Sequence, residues 1–352
     1  MRQVTEDDIT TQATIRKRQD RFAANEWSAA MLPPDDTLAI CFAHVAYRLH
    51  ERFSALDTGI GSFAVRDPAT LEKRIGEADV LVVSGLWQNT LLDRAGRLRF
   101  IQSIGAGTDQ FPRDELKRRG VRLASARGVN ARAVAEHAMA LILALSRRLP
   151  EARDNQANRV WRGMIGDLAE REDEIGGKTL LVVGLGDIGG RLARLAKAFD
   201  MHVIGLRRDP LAGRGAADAV HRMDELNALL PEADFVALTC PLTKETENLI
   251  DAQAFGRMRP SAHLVNVARG RIVDEAALVE ALATRRIAGA GLDVAAEEPL
   301  PPSSPLWGIP HVLITPHTAG ETRRYEDNVI EILRDNLGRL WRGEQRLRND
   351  VA

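Results

Sequence analysis

Gly184-Leu185-Gly186-Asp187-Ile188-Gly189 follows the apolar run 179–183 and opens a helical stretch at 191–199, after which a second apolar run, 202–206, begins. A G-x-G-x-x-G pattern alone is a weak signal. Between a strand and a helix of one βαβ unit it marks a dinucleotide site. Gly184 permits the tight turn, Gly186 lets the backbone approach a pyrophosphate, and Gly189 lets the helix pack on the strand. Asp187 and Ile188 complete the turn. The helix N-terminus then offers N–H groups and positive dipole potential to the phosphates.

The end of the second strand bears on which dinucleotide is bound. An NAD site usually carries an acidic residue there, accepting from the ribose 2′-hydroxyl. This chain has Leu206-Arg207-Arg208-Asp209. Guanidinium groups pair with a 2′-phosphate and gain little from a hydroxyl. Arg207 and Arg208 therefore favour NADP, with Arg214 adding positive charge. NAD is the competing reading, with Asp209 turned inward to the ribose and the arginines solvated.

Outward from this loop, short apolar runs alternate with helical patterns from residue 37 onward. Runs at 37–42, 80–84, 100–104 and 121–124 form one series; runs at 179–183, 202–206, 235–239, 263–267, 289–292 and 312–314 form another. They are apolar throughout, as strands covered on both faces should be, and their rhythm is that of βα units in a parallel sheet. Between the series lies 131–145, an Ala/Leu/Met/Ile stretch without Gly or Pro, which predicts a long and largely buried helix followed by Pro150. A polar link spans 151–177, and a last helical stretch, 323–342, closes the pattern. The fold class is α/β, with two doubly wound parallel-sheet domains. The division is an amino-terminal arm at 1–36, a substrate domain at 37–130 and 321–352, and a dinucleotide-binding domain at 131–320 inserted into it. Within the arm, Thr5 and Asp8 suit a helix cap running toward Trp27, read as a surface helix or a poorly ordered arm, with a clasp onto a partner subunit as the alternative.

Length and composition agree with this division. At about 150 residues per domain, 352 residues suggest two domains. Lys+Arg total 48 against 49 Asp+Glu, a net charge of −1 that argues against nucleic acid as a general partner. Two cysteines, Cys41 and Cys240, build no disulfide framework and point to a reducing, cytoplasmic setting. No apolar run approaches the ~20 residues of a membrane helix, and no export signal is evident, so no membrane partner is expected.

Three further segments follow predicted strands of the second series: Val265-Asn266-Val267-Ala268-Arg269-Gly270, Asp293-Val294-Ala295-Ala296-Glu297-Glu298-Pro299, and Thr315-Pro316-His317-Thr318-Ala319-Gly320. Ligands of open α/β sheets bind outside the carboxyl ends of the strands, so an Arg, an acid and a His arrive at one crevice. With the glycine loop, these ordered motifs resemble the D-isomer-specific 2-hydroxyacid dehydrogenase family, which includes glyoxylate/hydroxypyruvate reductases, D-lactate dehydrogenases and D-3-phosphoglycerate dehydrogenases. The resemblance runs from about residue 37 to 345. It implies a Rossmann nucleotide domain inserted into a flavodoxin-like substrate domain, and hydride transfer between NAD(P)H and a small 2-ketoacid such as glyoxylate or hydroxypyruvate.

The same resemblance implies individual roles. His317 protonates the substrate carbonyl oxygen; Glu298 holds the imidazole and favours its charged form. Arg269 grips the substrate carboxylate and polarises the carbonyl, and Asp293 orients the nicotinamide carboxamide. Cys240 and Pro241, with Val267, Ala268, Ala319 and Gly320, border the cofactor. Ser84, Gly85 and Leu86, ahead of Trp87, belong to the loop whose N–H groups bind the carboxylate, and the segment from Gly105 to Asp109 with Asn130 forms a second substrate-side wall.

Other features have plainer readings. Glu297 is a solvated neighbour of Glu298, His137 a packed or interface residue, and Cys240 a packing residue rather than a nucleophile. His311 and His317 lack companions with ligand spacing, so no metal is expected. A homodimer is expected, burying the helix at 131–145, whose apolar surface exceeds what one domain needs. D-3-Phosphoglycerate dehydrogenase is an alternative, disfavoured by a chain that stops soon after Arg342 without room for a regulatory domain. A dinucleotide-sensing corepressor-like scaffold is another. Formate dehydrogenases share the fold, but their histidine pairs with glutamine, against Glu298 here.

Overall fold

The structure, a computed structural model, describes residues 32–168 and 171–351. The helix expected between Thr5 and Trp27 lies outside these residues. The chain divides into two compact units, Met1–Val129 with Arg323–Ala352, and Asn130–Thr322.

The first unit holds five parallel strands: β1 (Ala39–Ala43), β2 (Gly61–Val65), β3 (Val80–Val83), β4 (Phe100–Ser103) and β5 (Arg122–Ala124). Their order, β2-β1-β3-β4-β5, is that of a flavodoxin-like sheet. Every residue of β3 and β4 is buried, in keeping with their unbroken apolar character. β2 had no counterpart in the sequence reading. It is an edge strand, half-exposed over most of its length, and its Gly-Ser start carries little strand signal. The helix Tyr325–Trp341 returns to this unit and buries Val329, Ile330, Leu333 and Leu337 beside Leu38, Ile40 and Phe53. Its one buried amide, Asn336, donates to Gln102 Oε1 at 3.0 Å and to the carbonyl of Arg348 at 3.1 Å. That helix therefore carries no unsatisfied polar side chain into the core.

The second unit holds seven parallel strands: β6 (Thr179–Val183), β7 (His202–Leu206), β8 (Ala219–His221), β9 (Phe235–Leu238), β10 (His263–Asn266), β11 (Gly289–Leu292) and β12 (Val312–Ile314). Their order is β12-β11-β10-β9-β6-β7-β8. The chain builds outward from β6 in one direction and, from β9, in the other. The carboxyl ends of β6 and β9 thus flank the topological switch point, where doubly wound sheets bind ligands. β8, three residues on an edge, also escaped the sequence reading.

The long helix is Ala131–Ser146. It lies so close to β11 that a Cβ at Gly291 would stand 3.0 Å from Leu141 Cβ. Pro150 follows this helix, as the sequence suggested, and a further helix begins there that the sequence did not suggest. Arg148 turns the chain with φ +48°, and Pro150 sits in the first turn of a second helix, Leu149–Ala157. Proline suits that place, because the N–H it lacks has no intrahelical partner there. The expected polar link is therefore helical at its start.

At the amino end of β10, His263 stacks on Phe235 with ring centroids 5.4 Å apart, and its buried Nδ1 has no hydrogen-bond partner. Burial, aided by the nearby His311, pushes its pKa down to about 4. The unfolded chain takes up this proton near pH 6.5 and the folded one only near pH 4. Stability from this group is complete above pH 6.5 and is lost as pH falls toward 4, by up to about 3 kcal/mol. His263→Phe should lessen the drop in thermal midpoint between pH 7 and pH 4.5, measured by circular dichroism. Equal drops in both proteins would contradict this account.

Candidate active site

The glycine loop runs from β6 into the helix Asp187–Ala198, with Gly186 at its N-cap. Gly184 has φ +102°, and a Cβ there would collide with the backbone of Cys240, at 2.6 Å from its N and Cα. A Cβ at Gly189 would strike the carbonyl of Gly184, Thr239 and Val182. Gly186, by contrast, faces open space, with no atom within 4 Å of an added Cβ. Two glycines are needed for close packing and the third leaves the backbone approachable, which is the cradle a pyrophosphate requires. Thr239, not singled out from the sequence, donates from Oγ1 to the carbonyl of Gly184 at 2.8 Å and so ties the end of β9 to this loop.

At the end of β7, Arg207 Nη1 donates to the carbonyl of Gly213 at 2.8 Å, while Arg208 and Arg214 are exposed. Asp209 Oδ1 accepts from the N–H of Leu211 at 3.0 Å, capping the short turn Pro210–Ala212. The Cys240 thiol is buried, and burial pushes its pKa up to about 11. It stays protonated near neutral pH, which fits a packing role.

The three motif segments leave β10, β11 and β12. These are neighbouring parallel strands, so their carboxyl ends share one edge of the sheet. Behind Arg269, the buried Asn266 accepts from the Ala268 N–H at 3.1 Å and donates to the Arg269 carbonyl at 3.0 Å, fixing the turn. Arg269 itself is exposed and donates from Nη1 to the Ala268 carbonyl at 2.6 Å. Val267 and Ala268 are buried. Gly270 abuts the backbone of Ala295 and Ala296, leaving no room for a Cβ. Glu275 accepts from the Ala296 N–H at 2.9 Å, a second contact the sequence reading missed.

Beyond β11, Glu298 Oε1 accepts from the Ala295 N–H at 3.1 Å, and Oε2 lies 2.7 Å from His317 Nδ1. Glu297 is exposed. His317 adopts the left-handed conformation, φ +56°, uncommon for a residue with a side chain. Its N–H donates to the carbonyls of Asp293 (2.8 Å) and Thr315 (3.0 Å). The Asp293 side chain, 2% exposed, accepts from the N–H groups of Thr318 and Ala319 at 3.0–3.2 Å. Asp293 thus holds the turn that carries His317. Gly320 packs on the Asn130 side chain. Ser84, Gly85 and Leu86 follow β3 in the other unit, where Trp87 and Leu86 are buried. Gln110 Nε2 lies 3.4 Å from Ser84 Oγ. Among the described residues, no cluster of His, Cys, Asp and Glu is arranged to hold a metal, and no helix is long and apolar enough to cross a membrane.

Residues 139–319 match the family model for the NAD-binding domain of D-isomer-specific 2-hydroxyacid dehydrogenases. The chain belongs to this family. A glyoxylate reductase of Korarchaeum cryptofilum is 34% identical over 277 residues, covering 77% of this chain and 82% of that protein. A D-3-phosphoglycerate dehydrogenase of Methanocaldococcus jannaschii is also 34% identical, over 303 residues; the match covers 84% of this chain but only 56% of that protein. The crystal structure of a D-isomer-specific 2-hydroxyacid dehydrogenase family protein from Aeromonas salmonicida superposes with a TM-score of 0.79 at 32% identity, covering 90% of this chain and 99% of that one. The dehydrogenase is therefore an NAD(P)-dependent oxidoreductase acting on CH–OH groups, and its seven-stranded unit is the Rossmann domain.

Proposed function

We propose that this dehydrogenase works mainly as a reductase of small 2-ketoacids, such as glyoxylate or hydroxypyruvate, with NADPH as the preferred cofactor, and that it does so in the cytoplasm. The observation that carries the reading is the 2.7 Å contact of His317 Nδ1 with Glu298, one strand away from Arg269. When bound, the dinucleotide supplies the hydride. The chain supplies the rest. With Nδ1 held by Glu298, a charged imidazole has its second proton on Nε2, from which it protonates the carbonyl oxygen. Arg269 binds the carboxylate and draws charge toward the same oxygen. Gly184, Gly186, Asp187, Ile188 and Gly189 hold the pyrophosphate at the helix N-terminus. Arg207 and Arg208 take the 2′-phosphate. Cys240, Pro241, Val267, Ala268, Ala319 and Gly320 form the walls beside the cofactor.

The test is steady-state kinetics on a panel of 2-ketoacids with NADPH and NADH. NADPH-dependent reduction of glyoxylate or hydroxypyruvate is expected. Failure of every small 2-ketoacid with both dinucleotides would overturn the reading.

A homodimer remains part of the proposal, but not through the surface the sequence suggested. The helix Ala131–Ser146 buries Val134, Ala138, Leu141, Ile142 and Leu145 in its own unit, beside Leu192 and Ala196 of the helix Asp187–Ala198. The bare apolar side chains lie further on: Trp161 is 99% exposed and Met164 104%, with Leu149, Val160 and Leu168 also exposed. Hydrogen bonds from Arg171 to the carbonyls of Ile165 (2.8 Å) and Gly166 (3.3 Å) shape this segment without covering those side chains. A second copy presenting the same segment would bury them in a two-fold interface. Light scattering should show a dimer, and Trp161→Ser with Met164→Ser should shift it toward monomer. A monomeric parent protein would refute this.

A further inference from the structure

We propose that His137, on the helix Ala131–Ser146, is a positioning residue for His317, acting through Thr315 and Asp293. The inference rests on His317 being the proton donor and adds a residue to that site.

Asp293 Oδ1 accepts from Thr315 Oγ1 at 2.6 Å and from the N–H groups of Thr318 and Ala319, while Oδ2 accepts from Ala319 at 3.0 Å. A threonine hydroxyl has one proton. Thr315 gives that proton to Asp293, so toward its other neighbour it acts only as acceptor. That neighbour is His137, whose Nε2 lies 2.9 Å from Thr315 Oγ1 and 3.7 Å from Asp293 Oδ1. His137 therefore carries its proton on Nε2 and donates to Thr315. The chain of donors runs from the helix, through the hydroxyl, to the carboxylate that holds the turn.

That turn needs holding. His317 sits at φ +56°, directly ahead of the two N–H groups that Asp293 accepts, and its own N–H donates to the Asp293 carbonyl. A non-glycine residue keeps such a conformation only where its surroundings over-determine it. Removing the donor at one end leaves Thr315 free to rotate away from Asp293, loosening the carboxylate and with it the direction of the imidazole. Small misplacement of a reacting group lowers turnover steeply. From the sequence alone, His137 is a packed or interface residue. A packing residue would be replaced well by Leu and poorly by Gln. A donor to Thr315 would be replaced well by Gln, whose amide N–H reaches a similar place, and poorly by Leu.

The test pairs these variants. His137→Leu should lower kcat about tenfold, with ketoacid KM and fluorescence-measured dinucleotide affinity within about twofold. His137→Gln should recover most of kcat. Thr315→Val should repeat the Leu result and Thr315→Ser the Gln result; this pair decides the matter if His137→Leu does not fold. Equal losses in Leu and Gln, or full kcat in both Leu and Val, would overturn the proposal. His317→Asn is assayed alongside. If it stays active, the proton-donor reading fails and this inference with it. If it is dead while His137→Leu and Thr315→Val are normal, only the inference fails.

Discussion

Replacing His317 by asparagine is expected to lower kcat for ketoacid reduction by about 10³-fold while leaving dinucleotide affinity within about twofold. Asparagine is the informative choice. His317 lies at φ +56°, a conformation that asparagine tolerates and most side chains resist. The turn held by Asp293 can therefore persist while the proton donor is lost. Glu298 meets His317 at 2.7 Å, so Glu298→Gln should have a smaller effect: a glutamine carbonyl still accepts from Nδ1 and keeps the direction of the ring. The measurement is single-turnover reduction, with dinucleotide binding followed separately by fluorescence. If His317→Asn turns over within tenfold of the parent protein, another group supplies the proton and the assigned chemistry is wrong.

The residues that make this prediction possible were legible because they stand in motifs. Glycines at fixed spacing after a strand, and an Arg, a Glu and a His each closing a strand, have few structural reasons to recur in that order. What was not legible is the layer behind them. Thr239 ties β9 to the glycine loop, Asn266 fixes the Arg269 turn, and His137 reaches Thr315 across 178 positions of sequence. Each is a common residue type whose role depends on a partner far along the chain, so no local pattern announces it. The missed strands have a related cause. β2 and β8 are edges without the all-apolar character of the central strands, and their identity comes from the neighbour they pair with. The helix Leu149–Ala157 was not legible because its residues carry no apolar stripe, and Pro150 stands in its first turn just after the left-handed Arg148.

The second large effect concerns the choice of dinucleotide. Arg207→Ala with Arg208→Ala should lower kcat/KM for NADPH by about 10²-fold and change kcat/KM for NADH by no more than about threefold, since each charge-assisted bond to a 2′-phosphate is worth ~1.5–3 kcal/mol and a hydroxyl gains little from either arginine. The competing reading needs the Asp209 carboxylate to face a ribose, but that carboxylate caps its own turn through the Leu211 N–H at 3.0 Å. Arg207 is braced against the carbonyls of Ala212 and Gly213, at 3.3 and 2.8 Å, which limits its motion before any phosphate arrives. Less side-chain freedom then has to be given up on binding. Asp209→Ala separates the two readings. If the arginines select the cofactor, it should leave NADH kinetics nearly unchanged; if Asp209 serves the ribose, NADH use should fall by tenfold or more. A parent protein that prefers NADH, with an NADH defect in Asp209→Ala and little response to loss of the two arginines, would assign the end of β7 to a hydroxyl rather than a phosphate.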